Sequence, residues 1–116
     1  MPEIKFYNKL VRDRIPEIIE KSGRKVEYWR VGDEVFELEL RRKLVEEANE
    51  LLNAKTKDEF YEELADVMQV LDCFLDMIEG TAAERIVDTI YLDKRSEKGA
   101  FDKHIYLHSV EDNTVE

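Results

Sequence analysis

The sequence predicts a mostly all-α protein: an antiparallel helical bundle, joined by a short two-stranded β element from residues 25–31 and 104–110. Three observations carry that expectation. Apolar residues recur at intervals of three and four over two long stretches, the mark of amphipathic helices. The breaks between helical stretches are a few residues long, and short loops favour antiparallel neighbours. No internal repeat, low-complexity linker or shift in composition divides the 116 residues, so residues 1–116 are expected to form a single domain.

The elements follow in chain order. Residues 6–14, Phe-Tyr-Asn-Lys-Leu-Val-Arg-Asp-Arg, have no clear period and read as an extended arm or irregular loop. Pro16 suits the first turn of a short helix over 16–22, which Gly23 stops. Residues 25–31 are rich in β-branched and aromatic side chains and predict a small strand. Gly32 breaks it, with Asp33 placed to cap a helix over 34–54 that carries Val35, Leu38, Leu44, Ala48, Leu51 and Leu52. Thr56 followed by Glu59 is a capping box for a second long helix, through Phe60, Leu64, Val67, Met68, Leu71, Leu75 and Ile78 to Gly80. Thr81 with Glu84 opens a third, closed by Gly99. Residues 104–110 alternate weakly and are the candidate partner strand, and the tail 111–116 reads as frayed. Long helices with wide apolar stripes bury poorly in so small a monomer, so a homo-oligomer, dimer or tetramer, is expected.

Charge excludes several function classes. Eighteen basic and 28 acidic residues give a net of −10, against the basic footprint that nucleic-acid polymers demand. The distribution is uneven: residues 1–30 carry +3, residues 31–79 carry −10 and residues 80–116 carry −3. No apolar run approaches the roughly 20 residues of a membrane span, and the opening residues lack a signal peptide's apolar stretch. One cysteine, Cys73, makes no internal disulfide, so a reducing cytoplasm is the expected compartment.

The acidic block has an internal order. Glu47 and Glu50 are three apart on the first long helix and share a face; Glu63 and Asp66 repeat the spacing on the second. Glu47 falls in the row of Leu40, Leu44 and Leu51, which faces the core, and Glu63 in the row of Val67, Val70 and Phe74, which Asp66 borders. Four carboxylates converging between two helices must be protonated in part or neutralised by cations. Mg²⁺, or Mn²⁺, takes oxygen ligands and keeps waters that substrate phosphates can replace. The di-iron pattern would need Glu-x-x-His, and these helices carry no histidine. The alternative is that these acids are a solvated helix face.

The spacing Glu46-Glu47-x-x-Glu50, twelve residues, then Glu63-x-x-Asp66 resembles the signature of the MazG-like all-α nucleoside triphosphate pyrophosphohydrolases. That superfamily also includes dimeric dUTPases and phosphoribosyl-ATP pyrophosphohydrolase. The run from Tyr7 to Pro16, YNKLVRDRIP, is similar to the YNKLVRDKIP opening of a MazG-related subgroup. Lys98-Gly99-Ala100-Phe101 stands where the subgroup more often has Arg-Gly-Gly-Phe. The resemblance spans residues 7 to about 107. It implies Mg²⁺-dependent cleavage of a nucleoside triphosphate between the α and β phosphates, giving monophosphate and pyrophosphate, as in house-cleaning of nucleotide pools. It implies Glu47, Glu50, Glu63 and Asp66 as metal ligands, and Glu46 as the acid that orients or deprotonates the attacking water.

On that basis Lys9, Arg12 and Arg14 become candidate phosphate contacts; equally, they pair with the acidic helices for structure. Asn8 is a candidate base or sugar contact. Lys94 and Lys98, with Arg95, are further phosphate candidates that also simply suit a helix C-terminus. His104 and His108 lack a third ligand for zinc, Cys73 reads as a small core residue, and Tyr28 and Trp29 read as packing aromatics. Two rivals remain: hydrolysis of phosphoribosyl-ATP on the same fold, and a non-catalytic helical module that binds metal or a partner protein.

Overall fold

A computed structural model describes residues 3–111. Residues 3–14 form no regular secondary structure, as their lack of period predicts. The first helix, α1 (Ile15–Lys21), carries Pro16 in its first turn, where a missing N–H costs nothing. It ends where Ser22 Oγ donates to the Ile19 carbonyl at 2.6 Å and Gly23 takes φ +86°, a left-handed turn that a side chain would strain.

The long helices are α2 (Asp33–Leu52) and α3 (Lys57–Ile78). The sequence expectation that Asp33 caps α2 needs correcting. Gly32 holds the cap position, its carbonyl accepting from Phe36 N–H at 2.8 Å, and Asp33 lies inside the first turn. There its charge, with that of Glu34, still suits the positive end of the helix dipole. Asn53 closes α2 by donating Nδ2 to the Asn49 carbonyl at 2.7 Å. The cap of α3 forms as expected, because Thr56 Oγ1 accepts from Glu59 N–H at 3.1 Å. The Glu59 carboxylate reaches back to Lys55 N–H at 2.9 Å.

The chain divides into two compact units, Met1–Met77 and Ile78–Glu116. In the first, Leu40 (4% exposed) and Val70 (7%) are buried with Pro16, flanked by half-buried Leu44, Leu51, Val67 and Phe74. These are the rows that the periodicity assigned to the core. The second contains α4 (Ala82–Lys98), which Gly99 ends at φ +84°. Its expected capping box is half made. Glu84 accepts from Gly80 N–H at 2.5 Å, but Thr81 turns its hydroxyl onto the Ile78 carbonyl at 2.6 Å and caps nothing.

Among the described residues the fold is all-helical. Residues 25–31 and 104–110, expected as a two-stranded element, belong to no strand. Their aromatic and β-branched composition is real, but Trp29 and Tyr106 remain exposed, and a two-stranded pairing without a buried face is marginal in water. The tail 112–116 lies outside the described residues. Among the described residues no helix is long and apolar enough to cross a membrane.

Candidate metal centre

A three-residue step along a helix turns about 300°, which leaves side chains one above the other on a single face. Glu47 and Glu50 make that step on α2, and Glu63 and Asp66 make it on α3. With only residues 53–56 between the helices, the chain doubles back and brings the two pairs together. One carboxylate oxygen from each of the four lies within 4.8 Å of the others. The shared-face spacing thus has its geometric counterpart, and the solvated-face alternative fails for Glu47, which is 7% exposed on the Leu40 row.

The electrostatics of the cluster are strained. Glu47 Oε2 and Glu63 Oε2 are both out of contact with water and have no hydrogen-bond partner. A buried acceptor such as Glu47 Oε2 costs about 1–3 kcal/mol when unpartnered, more when charged. Burial, and then the charge of Glu50, push the Glu47 carboxyl up from its ordinary range, against the pull of Lys43. Glu63 is pushed up to about 7 by a hydrogen bond with Glu50 first, then by burial and by the charges of Glu50, Asp66 and Glu47. Both shifts favour the neutral acid, the mark of crowded carboxylates whose charge a cation would neutralise.

The donor set suits a hard divalent ion. Opposite oxygens on a Mg²⁺ octahedron stand about 4.2 Å apart, twice the metal–oxygen distance. The observed 4.8 Å spread is a little wider, as expected of carboxylates that repel one another. A cation drawn between them would also supply the partner that Glu47 Oε2 and Glu63 Oε2 lack. Among the described residues this is the only group of histidine, cysteine or acidic side chains gathered closely enough to hold a metal; His104 and His108 take no part in it.

Comparison with known proteins found no matching family model, no matching curated protein and no matching solved structure.

Glu46 lies outside the gathered four and is paired with two lysines. Lys9 Nζ, from the N-terminal arm, donates to Glu46 Oε1 at 2.9 Å, and Lys43 Nζ lies 3.4 Å from Oε2. Burial alone would raise Glu46, but Lys9 and then Lys43 outweigh it and hold the carboxyl below its usual range. The Lys9 ammonium is held up in turn by its bond to Glu46, over the opposing effect of burial, and then by the charges of Glu46, Glu50 and Glu47. Arg12 donates to Asp66 Oδ1, so a second cation of the same arm sits on one of the four clustered carboxylates.

The other sequence candidates lie elsewhere. Arg14 is mostly exposed and pairs at 3.9 Å with Glu17 on α1. Asn8 is exposed and adopts φ +46°, a left-handed turn that asparagine tolerates, just before Lys9. Lys94 and Lys98 are exposed on α4, in the second unit. Cys73 is half-buried, and burial, then Asp76 and Asp13, push its thiol up, away from nucleophilic use.

One contributor escaped the sequence reading. Lys43, half-buried, stands 3.4 Å from both Glu46 and Glu47. Its signal was present in the helix spacing, since it precedes those two acids by three and four residues.

Proposed function

We propose that this chain is a metal-dependent nucleoside triphosphate pyrophosphohydrolase of the MazG-like kind, cleaving between the α and β phosphates to give a nucleoside monophosphate and pyrophosphate. The observation that carries the reading is the meeting of Glu47, Glu50, Glu63 and Asp66, with two oxygens that lack any partner. The YNKLVRDRIP opening and the acidic spacing, which resemble that superfamily, add the reaction class.

In this reading the four carboxylates hold Mg²⁺ or Mn²⁺. An ion held there would supply polarisation of the phosphoryl oxygens and a more acidic water. Glu46, outside the clustered four and kept ionised by Lys9 and Lys43, orients the attacking water and accepts its proton. Lys9 and Arg12 offer positive charge to the triphosphate beside the cluster. The water's oxygen adds to phosphorus as the phosphoanhydride bond to pyrophosphate breaks. Positioning and charge neutralisation supply most of such a rate enhancement.

Exposed apolar residues support the homo-oligomer expected above. Leu38, Val45 and Leu52 recur every seven residues along α2, and Leu64, Met68, Leu71 and Leu75 line one stripe of α3. Such stripes suit helix packing between copies of the chain.

A turnover screen tests the reaction. The purified chain with Mg²⁺ or Mn²⁺ meets canonical and modified nucleoside triphosphates and phosphoribosyl-ATP, and pyrophosphate, monophosphate and orthophosphate are each quantified. Equal pyrophosphate and monophosphate, lost in Asp66→Asn, is the expected result, and the ranking of rates names the base and sugar class. Orthophosphate with a diphosphate would overturn the bond assignment. Undiminished turnover in Asp66→Asn would overturn the site.

A further inference from the structure

The N-terminal arm crosses the acidic cluster as irregular chain, with Leu10 half-buried between its two cations in sequence. Residues 3–14 lack regular secondary structure, and Ile4, Phe6 and Tyr7 are largely exposed. Two ion pairs tie this segment to α2 and α3: Lys9 to Glu46 at 2.9 Å, across 37 positions of sequence, and Arg12 to Asp66, across 54. Asp66 is also one of the four oxygens gathered for a cation. Arg12 and a metal ion therefore address the same carboxylate.

The cluster is more than a group of acids. Glu47, nine-tenths buried, has an oxygen that nothing partners, and the arm's cations reach Glu46 and Asp66 without reaching that oxygen. The arm thus neutralises the rim of the site and leaves its interior unsatisfied. Two exposed side-chain pairs are a weak tether, worth at most about fivefold each in an equilibrium. A divalent ion held by the four carboxylates would outcompete them.

We propose that the arm is an exchangeable counter-ion: Arg12, helped by Lys9, holds the cluster when no metal is bound, and metal binding at Asp66 releases Arg12 and loosens the arm. The inference rests on the metal-centre reading above and adds its regulation. Freed by the ion, Arg12 is available to a triphosphate at the moment the site becomes competent. The arm then couples loading with metal to binding of the anionic substrate, through one residue that cannot serve both partners at once.

The test needs no substrate. Mn²⁺ alone is titrated into the full chain at low ionic strength, where surface charge is least screened, and its affinity is read by calorimetry. Arg12→Gln is expected to tighten Mn²⁺ by up to about fivefold, because a competing cation has gone. Arg14→Gln removes the same charge from the neighbouring pair with Glu17 and is the control for net charge; it is expected to leave the affinity unchanged. In the parent, Mn²⁺ is expected to speed tryptic cleavage after Arg12 relative to cleavage elsewhere. Equal or weaker Mn²⁺ binding in Arg12→Gln, or an arm that becomes more protected when Mn²⁺ is added, would overturn the exchange while leaving the metal centre standing. A parent that binds no Mn²⁺ would overturn the metal centre itself, and the exchange with it.

Discussion

Replacing Glu47 by glutamine is expected to stabilise the metal-free protein and to weaken it relative to the parent once metal is added. In the bare site Glu47 is 7% exposed, its Oε2 has no partner, and burial and Glu50 already disfavour its charge. The amide is nearly the same size, so the Leu40 row should keep its packing. It removes the buried charge and adds two N–H donors near Glu63, whose Oε2 lacks a partner. Lys43 loses a partner at 3.4 Å, yet it keeps Glu46 at the same distance and is not stranded.

The balance is the relief of one unsatisfied buried acceptor, about 1–3 kcal/mol, less about 0.5–1 kcal/mol for the lost ion pair. A net gain of about 1–2 kcal/mol corresponds to a rise in Tm of about 4–8 °C for a chain of this size. In saturating Mn²⁺ the order reverses. The parent gains about 2.7 kcal/mol at a hundredfold excess over Kd, and a variant lacking one of the four ligands gains much less. Thermal melts with a chelator and with Mn²⁺, at one protein concentration, read both signs. A lower Tm for Glu47→Gln in the chelator would refute the claim that Glu47 is held at a cost for the sake of a cation.

Two further outcomes follow from the same structure. The metal-free protein should lose stability as pH rises through the window from the ordinary carboxylate range to about 7, since Glu63 keeps its proton longer folded than unfolded; melts from pH 5 to 8 check this, and bound Mn²⁺ should abolish the slope. Thr56→Ala removes the acceptor of Glu59 N–H at the start of α3 and should cost about 1 kcal/mol by denaturant titration, with Mn²⁺ affinity unchanged because the cap lies nearly two turns from Glu63.

The parts of the fold legible in the sequence were those governed by local period. Leu40, Leu44, Glu47 and Leu51 share a row by arithmetic alone, and the same arithmetic puts Glu63 with Val67 and Val70, so helical spacing by itself implies a buried glutamate. The Thr56 cap was legible because both partners lie within one helical turn. Local rules misled where two neighbours competed for one role. Gly32 took the cap from Asp33, and the Ile78 carbonyl took the Thr81 hydroxyl. The strands failed because β composition does not by itself supply a partner with a face to bury. The pairs Lys9–Glu46 and Arg12–Asp66 were beyond reach in their particulars, since an arm without period gives no register across 37 or 54 residues.

A last substitution separates an enzyme from a module that merely binds a metal. A structural ion needs its ligands and nothing more, and the four clustered carboxylates are a sufficient set. Glu46 is then surplus, a fifth acid beside the ion. Yet it is held between Lys9 and Lys43, kept charged, and lies outside the four gathered carboxylates. That arrangement suits a group that must stay off the metal and remain able to accept a proton. Glu46→Gln should leave Mn²⁺ affinity within about twofold, as the loss of one nearby charge is largely screened by its two lysines. Turnover should fall by about 10²–10⁴, the range for removing a positioned general base. Equal turnover would move proton transfer to another group, whereas a collapse of Mn²⁺ affinity would place Glu46 among the ligands. The predicted split between intact binding and lost rate is one that a pure binding module has no means to produce.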